Sequence, residues 1–163
     1  MQSQHDLEDW YSLPDRWGYF NNPEDNNRLS RIISMLGFGK KHYNRAIDIG
    51  CGEGFITQHL PAEEIHGYDL SNNALSRLPQ NVKSVTQPEG KYDLVISTGT
   101  LYSQYDHERI YEMIMGCASE YILIGGIASW IIDKGFGREI NSDAFPYREF
   151  TQKITLYHVE TSA

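Results

Sequence analysis

The chain has 163 residues, 40% of them hydrophobic, with 22 acidic against 14 basic side chains and a net charge of −8 at pH 7. This is the size of one domain with one core, no apolar run approaches the ~20 residues of a membrane-spanning helix, and MQSQHDLEDWY lacks the basic-then-apolar order of a secretory signal. The acidic balance and the scattered Lys and Arg argue against a nucleic-acid or membrane partner, and Cys51 and Cys117 alone make no disulfide framework, which favours reduced thiols in the cytoplasm.

Residues 1–40 form an N-terminal region. It opens polar, with clustered aromatics at Trp10, Tyr11, Trp17, Tyr19 and Phe20. Leu29, Ile32, Ile33 and Leu36 then recur at the spacing of one helix face over 24–36, with Asn21, Asn22 and Pro23 as its start. Residues 45–127 alternate strand and helix. AIDIG (46–50) reads as a buried strand, 54–60 as a helix stopped by Pro61, and EIHGYDL (64–70) as a second strand. SNNALSRL (71–78) reads as a helix capped by Ser71 and stopped by Pro79. Strands are expected at 82–87, 91–99 and 120–127, with a helix over 106–119 capped by Asp106. Such alternation with apolar strands predicts a doubly wound α/β domain whose mostly parallel sheet is covered on both faces. In the C-terminal segment, 128–163, only QKITLYHVE (152–160) alternates. It is expected to be an antiparallel edge strand, and whether the 36 residues complete the sheet or leave it truncated at that edge stays open.

The first strand runs into Gly50, Gly52 and Gly54, where the fold binds ligands against bare backbone. No lysine follows these glycines, which excludes a triphosphate loop. A dinucleotide fingerprint from Gly50 would need a third glycine at the position of Phe55. Asp69 ends the second strand, 19 residues after Gly50, where an acid accepts ribose hydroxyls in nucleotide folds; Leu70 beside it would pack on adenine.

Read from Asp48, the loop Asp48-Ile-Gly50-Cys51-Gly52-Glu-Gly54 resembles the first motif of the class I S-adenosylmethionine-dependent methyltransferases. The resemblance implies a Rossmann-like methyltransferase fold, S-adenosylmethionine as cofactor and S-adenosylhomocysteine as product. It places Gly50, Cys51 and Gly52 under the cofactor's methionine part and Asp48 near its amino group. A zwitterion without phosphate suits this acid, which would repel a pyrophosphate. KYDLVISTGTLYS resembles the family's fourth strand, so Ser97 to Tyr102 would face the transferring methyl. Gln87 stands where the family contacts the adenine amino group, although an Asp is more usual there. STGTLY lacks the Pro-Pro of enzymes that methylate adenine bases or glutamine side chains, which favours a small-molecule acceptor at nitrogen or oxygen.

Asp15, Trp17 and Tyr19, then Asp25 and Arg28 on the helix, more weakly resemble the nodulation-type N-methyltransferases, with Arg16 where proline is usual. That resemblance pairs Arg28 with the methionine carboxylate. Tyr11, Trp17, Tyr19 and Tyr102 are expected to line the acceptor site or form a lid, although the N-terminal aromatics could equally pack the first helix onto the sheet. No metal is assigned. No general base is named: Tyr102 reads as a wall residue, His107 as a solvated first-turn residue, and His158 could face either way. Two rivals stay open: a non-catalytic subunit that binds cofactor or a partner protein, and a nicotinamide-dependent reductase. Whether the chain forms a homodimer also stays open.

Overall fold

Ala46 to Ile49, the last four residues of strand β1 (Tyr43–Ile49), are all buried, and neighbouring strands lie on both sides of them. β1 is the hub of the fold in the computed structural model, which describes residues 3–160. Two helices precede it, α1 (Gln4–Trp10) and α2 (Pro23–Leu36). After it come β2 (Ala62–Tyr68), α3 (Asn72–Leu75), β3 (Lys83–Ser84), β4 (Tyr92–Thr98), α4 (His107–Cys117), β5 (Ala118–Ile127), β6 (Arg138–Tyr147) and β7 (Phe150–His158). Among the described residues the sheet has seven strands, in the order β3-β2-β1-β4-β5-β7-β6. β1 to β5 are parallel, while β7 runs antiparallel to β5 and β6 antiparallel to β7.

Alternate residues of the central strands feed two apolar layers. Ala46, Leu94, Ile96 and Leu123 pack with Ile32 and Leu36 of α2. Ile47, Ile49, Val95, Ile122 and Ile124 pack with Ile114 of α4. The side-chain oxygen of Asn22 accepts the Glu24 N–H at 2.9 Å and Pro23 opens α2, as the sequence predicts. Asp106 likewise caps α4 by accepting the Arg109 N–H.

The local differences from the sequence reading have physical causes. The helix expected over 54–60 is reduced to a 3-10 turn at Thr57–His59. Six residues between a left-handed Gly54 and Pro61 cannot sustain a helix nucleus, and Leu60 is extended ahead of the proline. α3 is one turn, from Asn72 to Leu75, with Pro79 soon after. β3 keeps only Lys83 and Ser84, because Pro88 and a left-handed Gly90 turn the chain away. The C-terminal strand is antiparallel as expected but lies inside and not at the edge, covered by β6, which completes the sheet. β6 tolerates Pro146 because it is the edge strand, where one missing donor costs no ladder bond.

Candidate functional site

The carboxyl ends of β1, β2 and β4 open into a cavity of about 600 Å³. The glycine loop forms its floor. Gly50 (φ +85°), Gly52 (φ +55°) and Gly54 (φ +86°) all adopt left-handed backbone, which only glycine does without strain. A Cβ on Gly52 would lie 2.8 Å from the Tyr11 hydroxyl, so the N-terminal segment rests on bare backbone.

Asp48 ends β1 with its side chain buried. One carboxylate oxygen accepts the Thr57 hydroxyl at 2.7 Å, while the other, Oδ1, is buried without a partner. Burial pushes this carboxyl up to about 7, against the Thr57 bond, which lowers it. Arg28 on α2 is buried beside the fully buried Asp25, 3.4 Å from its Oδ1. That contact has ion-pair length without hydrogen-bond alignment, and Arg28 Nε has no partner. The guanidinium lies over the rings of Tyr19 (4.8 Å) and Tyr147 (5.6 Å). Asp25 is further held by the Tyr147 hydroxyl at 2.5 Å and by Arg148 at 3.1 Å. The cavity wall thus carries an acceptor, Asp48 Oδ1, and a donor, Arg28 Nε, that lack hydrogen-bond partners, although Asp25 balances the charge of Arg28.

Asp69 sits at the β2 tip. Its carboxylate accepts the N–H groups of Gly52 and Ser71, each at 2.9 Å. Burial raises this carboxyl above its usual range, and those two donors oppose the rise. Leu70 beside it is partly exposed and lines the cavity. Cys51 also lines it, and burial holds its thiol well above the usual value, so it stays protonated.

The N-terminal segment covers this floor. Glu8 of α1 accepts from the Ser71 hydroxyl and the Asn73 N–H, docking α1 on the β2–α3 turn. Glu53 of the glycine loop accepts the Asp15 N–H at 2.9 Å and pairs with Arg77 at 3.3 Å; Arg77 in turn donates to the Tyr11 carbonyl. Trp17 donates to the Tyr11 hydroxyl at 2.8 Å and stacks on Tyr19, which packs against Phe55. The aromatic cluster therefore does both things the sequence allows: it packs the segment down and it walls the cavity.

Among the expected site residues, Arg28, Asp48, Gly50, Cys51, Gly52, Asp69, Leu70, Tyr11, Trp17, Tyr19 and Tyr102 all line this one cavity. Two do not. Gln87 is exposed, because the short β3 ends before reaching the cavity. Ser97 is fully buried, its hydroxyl donating to the Ile49 carbonyl at 2.6 Å, so it ties β4 to β1. Tyr102 accepts the Ile127 N–H at 2.7 Å, and burial pushes its phenol up to about 12, which keeps it neutral. His107 and His158 stand outside the lining. Sequence reasoning missed Thr57, Glu53, Trp130, Arg148, Phe150 and Gln152. Glu53, inside the glycine motif, carried a positional signal; the others carried none.

Residues 21–123 match the model of a methyltransferase-domain family. Over 98 residues the chain is 32% identical to the mitochondrial arginine-hydroxylase NDUFAF5 of Rattus norvegicus, a match spanning 52% of this chain and 29% of that protein. The fold is similar to N-methyltransferase NodS from Bradyrhizobium japonicum, solved with S-adenosylhomocysteine, at a TM-score of 0.78 and 15% identity over 97% of this chain and 98% of that one. It is also similar to magnesium protoporphyrin IX methyltransferase from Synechocystis, with a TM-score of 0.72 and 14% identity over 96% and 99% of the two chains. With the family model matching well over half of its residues, this chain belongs to the methyltransferase-domain family.

Proposed function

We propose that the protein transfers a methyl group from S-adenosylmethionine to a nitrogen or oxygen atom of a small acceptor. The observation that carries this reading is that two groups of cavity-lining residues, Asp48 Oδ1 and Arg28 Nε, lack hydrogen-bond partners. They fit an ammonium and a carboxylate on one ligand, as the methionine part of the cofactor presents them. Asp69 would accept the ribose hydroxyls and Leu70 would cover the adenine. The family assignment argues against a nicotinamide-dependent reductase.

When bound, the cofactor supplies a methyl carbon on a cationic sulfur. The acceptor's lone pair forms the new bond to that carbon while the carbon–sulfur bond breaks, its electron pair staying on sulfur. The acceptor's own proton passes to water. The protein's part is positioning: holding donor and acceptor at attack distance supplies much of the rate gain. Tyr11, Trp17 and Tyr19 would exclude bulk water over the sulfur.

A second reading takes a protein arginine as the group acted on, as the name of the rat relative suggests for that protein. Cys51 and Cys117 are free and buried, which supports residence in a reducing compartment such as the cytoplasm. No helix among the described residues is long and apolar enough to cross a membrane.

The test is calorimetric titration with S-adenosylhomocysteine, with NADH and Asp69→Ala as controls. Micromolar binding, lost in the variant and absent for NADH, is expected. No binding to folded protein would overturn the reading. Binding without turnover on either small acceptors or arginine peptides would make the chain a non-catalytic subunit.

A further inference from the structure

The cavity extends beyond β4, across the sheet from the glycine loop, and its wall there differs in kind. Tyr102 after β4, Trp130 after β5 and Phe150 at the start of β7 line it. The Trp130 ring meets Tyr102 edge-on at 5.6 Å and Phe150 at 5.2 Å, while 44% of the residue stays exposed. Gln152, only 6% exposed, lines the cavity with them, on the β7 strand where it pairs with Ile127 of β5. A carboxamide has two donors and an acceptor, which a ligand in this part of the cavity can engage.

Charge decides which ligand. The cavity's carboxylates, Asp48, Glu53, Asp69 and Asp106, come from β1, the glycine loop, the β2 tip and the start of α4. None comes from β5, β6 or β7. That side contributes a cation, Arg148, whose guanidinium is held by Asp25 at 3.1 Å and by the Trp17 carbonyl at 3.2 Å. An acceptor bearing an ammonium or guanidinium would find no counter-charge there. Ring faces attract cations by about 0.5–2 kcal/mol, less than the several kcal/mol of stripping water from an unpaired charge.

We propose that the acceptor is a planar, uncharged aromatic molecule carrying a phenolic O–H or a heteroaromatic N–H, held against Trp130 and Phe150 with its polar group hydrogen-bonded to Gln152. The proposal rests on the methyl-transfer reading and names the substrate class of that site. In the transfer, a lone pair on the phenolic oxygen, or on the heteroaromatic nitrogen whose lone pair lies in the ring plane, bonds to the methyl carbon, the carbon–sulfur electrons stay on sulfur, and the O–H or N–H proton goes to water. A neutral acceptor needs no prior deprotonation of an ammonium, which accords with an acceptor wall that offers no carboxylate base.

The test uses saturation-transfer NMR on the full chain, with and without S-adenosylhomocysteine. The probes are 4-methylphenol, toluene, benzimidazole, cyclohexylmethylamine and agmatine. The phenol and benzimidazole are expected to bind, and the two cationic amines are not. Gln152→Leu should weaken 4-methylphenol ~10-fold and leave toluene unchanged, a split that a general packing defect would not produce. Trp130→Ala, at a partly exposed position, should weaken both aromatics together. Binding of the amines in preference to the rings, no aromatic binding in either state, or equal losses for phenol and toluene in Gln152→Leu would each overturn the proposal. Calorimetry on the same samples reads cofactor binding separately. Failure there strikes the methyl-transfer reading, while failure of the rings alone strikes only the acceptor class.

Discussion

The backbone N–H of Gly52 donates to the Asp69 carboxylate at 2.9 Å, stapling the glycine loop to the tip of β2. The second oxygen of Asp69 holds the Ser71 N–H, so both oxygens are fixed by backbone before any ligand arrives. Asp69 also lines the cavity. Asp69→Asn keeps the shape but turns one acceptor into an amide donor facing a backbone N–H. The S-adenosylhomocysteine Kd is expected to rise at least ~10-fold, the scale of one hydrogen bond to a charged group. Calorimetry checks it; an unchanged Kd would remove Asp69 from the ribose role.

Asp48 ties ligand binding to pH. Burial lifts its folded-state value to about 7, from an ordinary 3.8. The folded protein therefore holds this proton more tightly than the unfolded chain does. The resulting stabilisation is full below about pH 4, declines as the pH rises to about 7, and is flat above. An ammonium opposite Oδ1 requires the ionised form. S-adenosylhomocysteine affinity should thus climb with pH up to about 7, with a proton released on binding near pH 6. Titrations in two buffers of different ionisation enthalpy count that proton, and Asp48→Asn should abolish the count.

What the sequence revealed follows what physics forces locally. β1, β4 and β5 are central strands, buried on both faces, so their apolar runs stand out. β6 is half-exposed and carries Arg138, Glu139, Asp143 and Pro146, so no alternation survives to mark it. The three glycines were legible because left-handed backbone dictates that residue type, and Asp48 and Asp69 because they stand at strand ends at a set spacing from the glycines. Gln152 and Arg148 were not, since they reach the cavity only through the pairing of β7 with β5 and β6. Ser97 shows the opposite limit: its position at the β4 tip was right, but its hydroxyl is used by the Ile49 carbonyl.

The N-terminal cover hangs on Glu53, whose two oxygens hold the Asp15 N–H and Arg77. Glu53→Ala should loosen residues 11–17 without disturbing the sheet. Trypsin cleavage after Arg16 should accelerate several-fold, and S-adenosylhomocysteine affinity should drop, while the thermal midpoint moves by no more than about 4 °C, as for a loss of about 1 kcal/mol. Protection from trypsin equal to that of the unaltered protein would show that the segment is held by its aromatic contacts alone.

Gly50 faces a different constraint: a Cβ built there would fall inside contact distance of the Thr100 methyl, and its φ of +85° is left-handed. Two costs are therefore separable in Gly50→Ala. Backbone strain contributes about 1–2 kcal/mol and overpacking against Thr100 about 1–3 kcal/mol. Thr100→Ser removes the methyl and keeps the hydroxyl that hydrogen-bonds Ser97. In a double-mutant cycle followed by urea denaturation, Thr100→Ser should recover the overpacking part and leave the strain, giving a coupling of about 1–2 kcal/mol. Strict additivity would show that the glycine is required by its backbone conformation and not by its approach to Thr100.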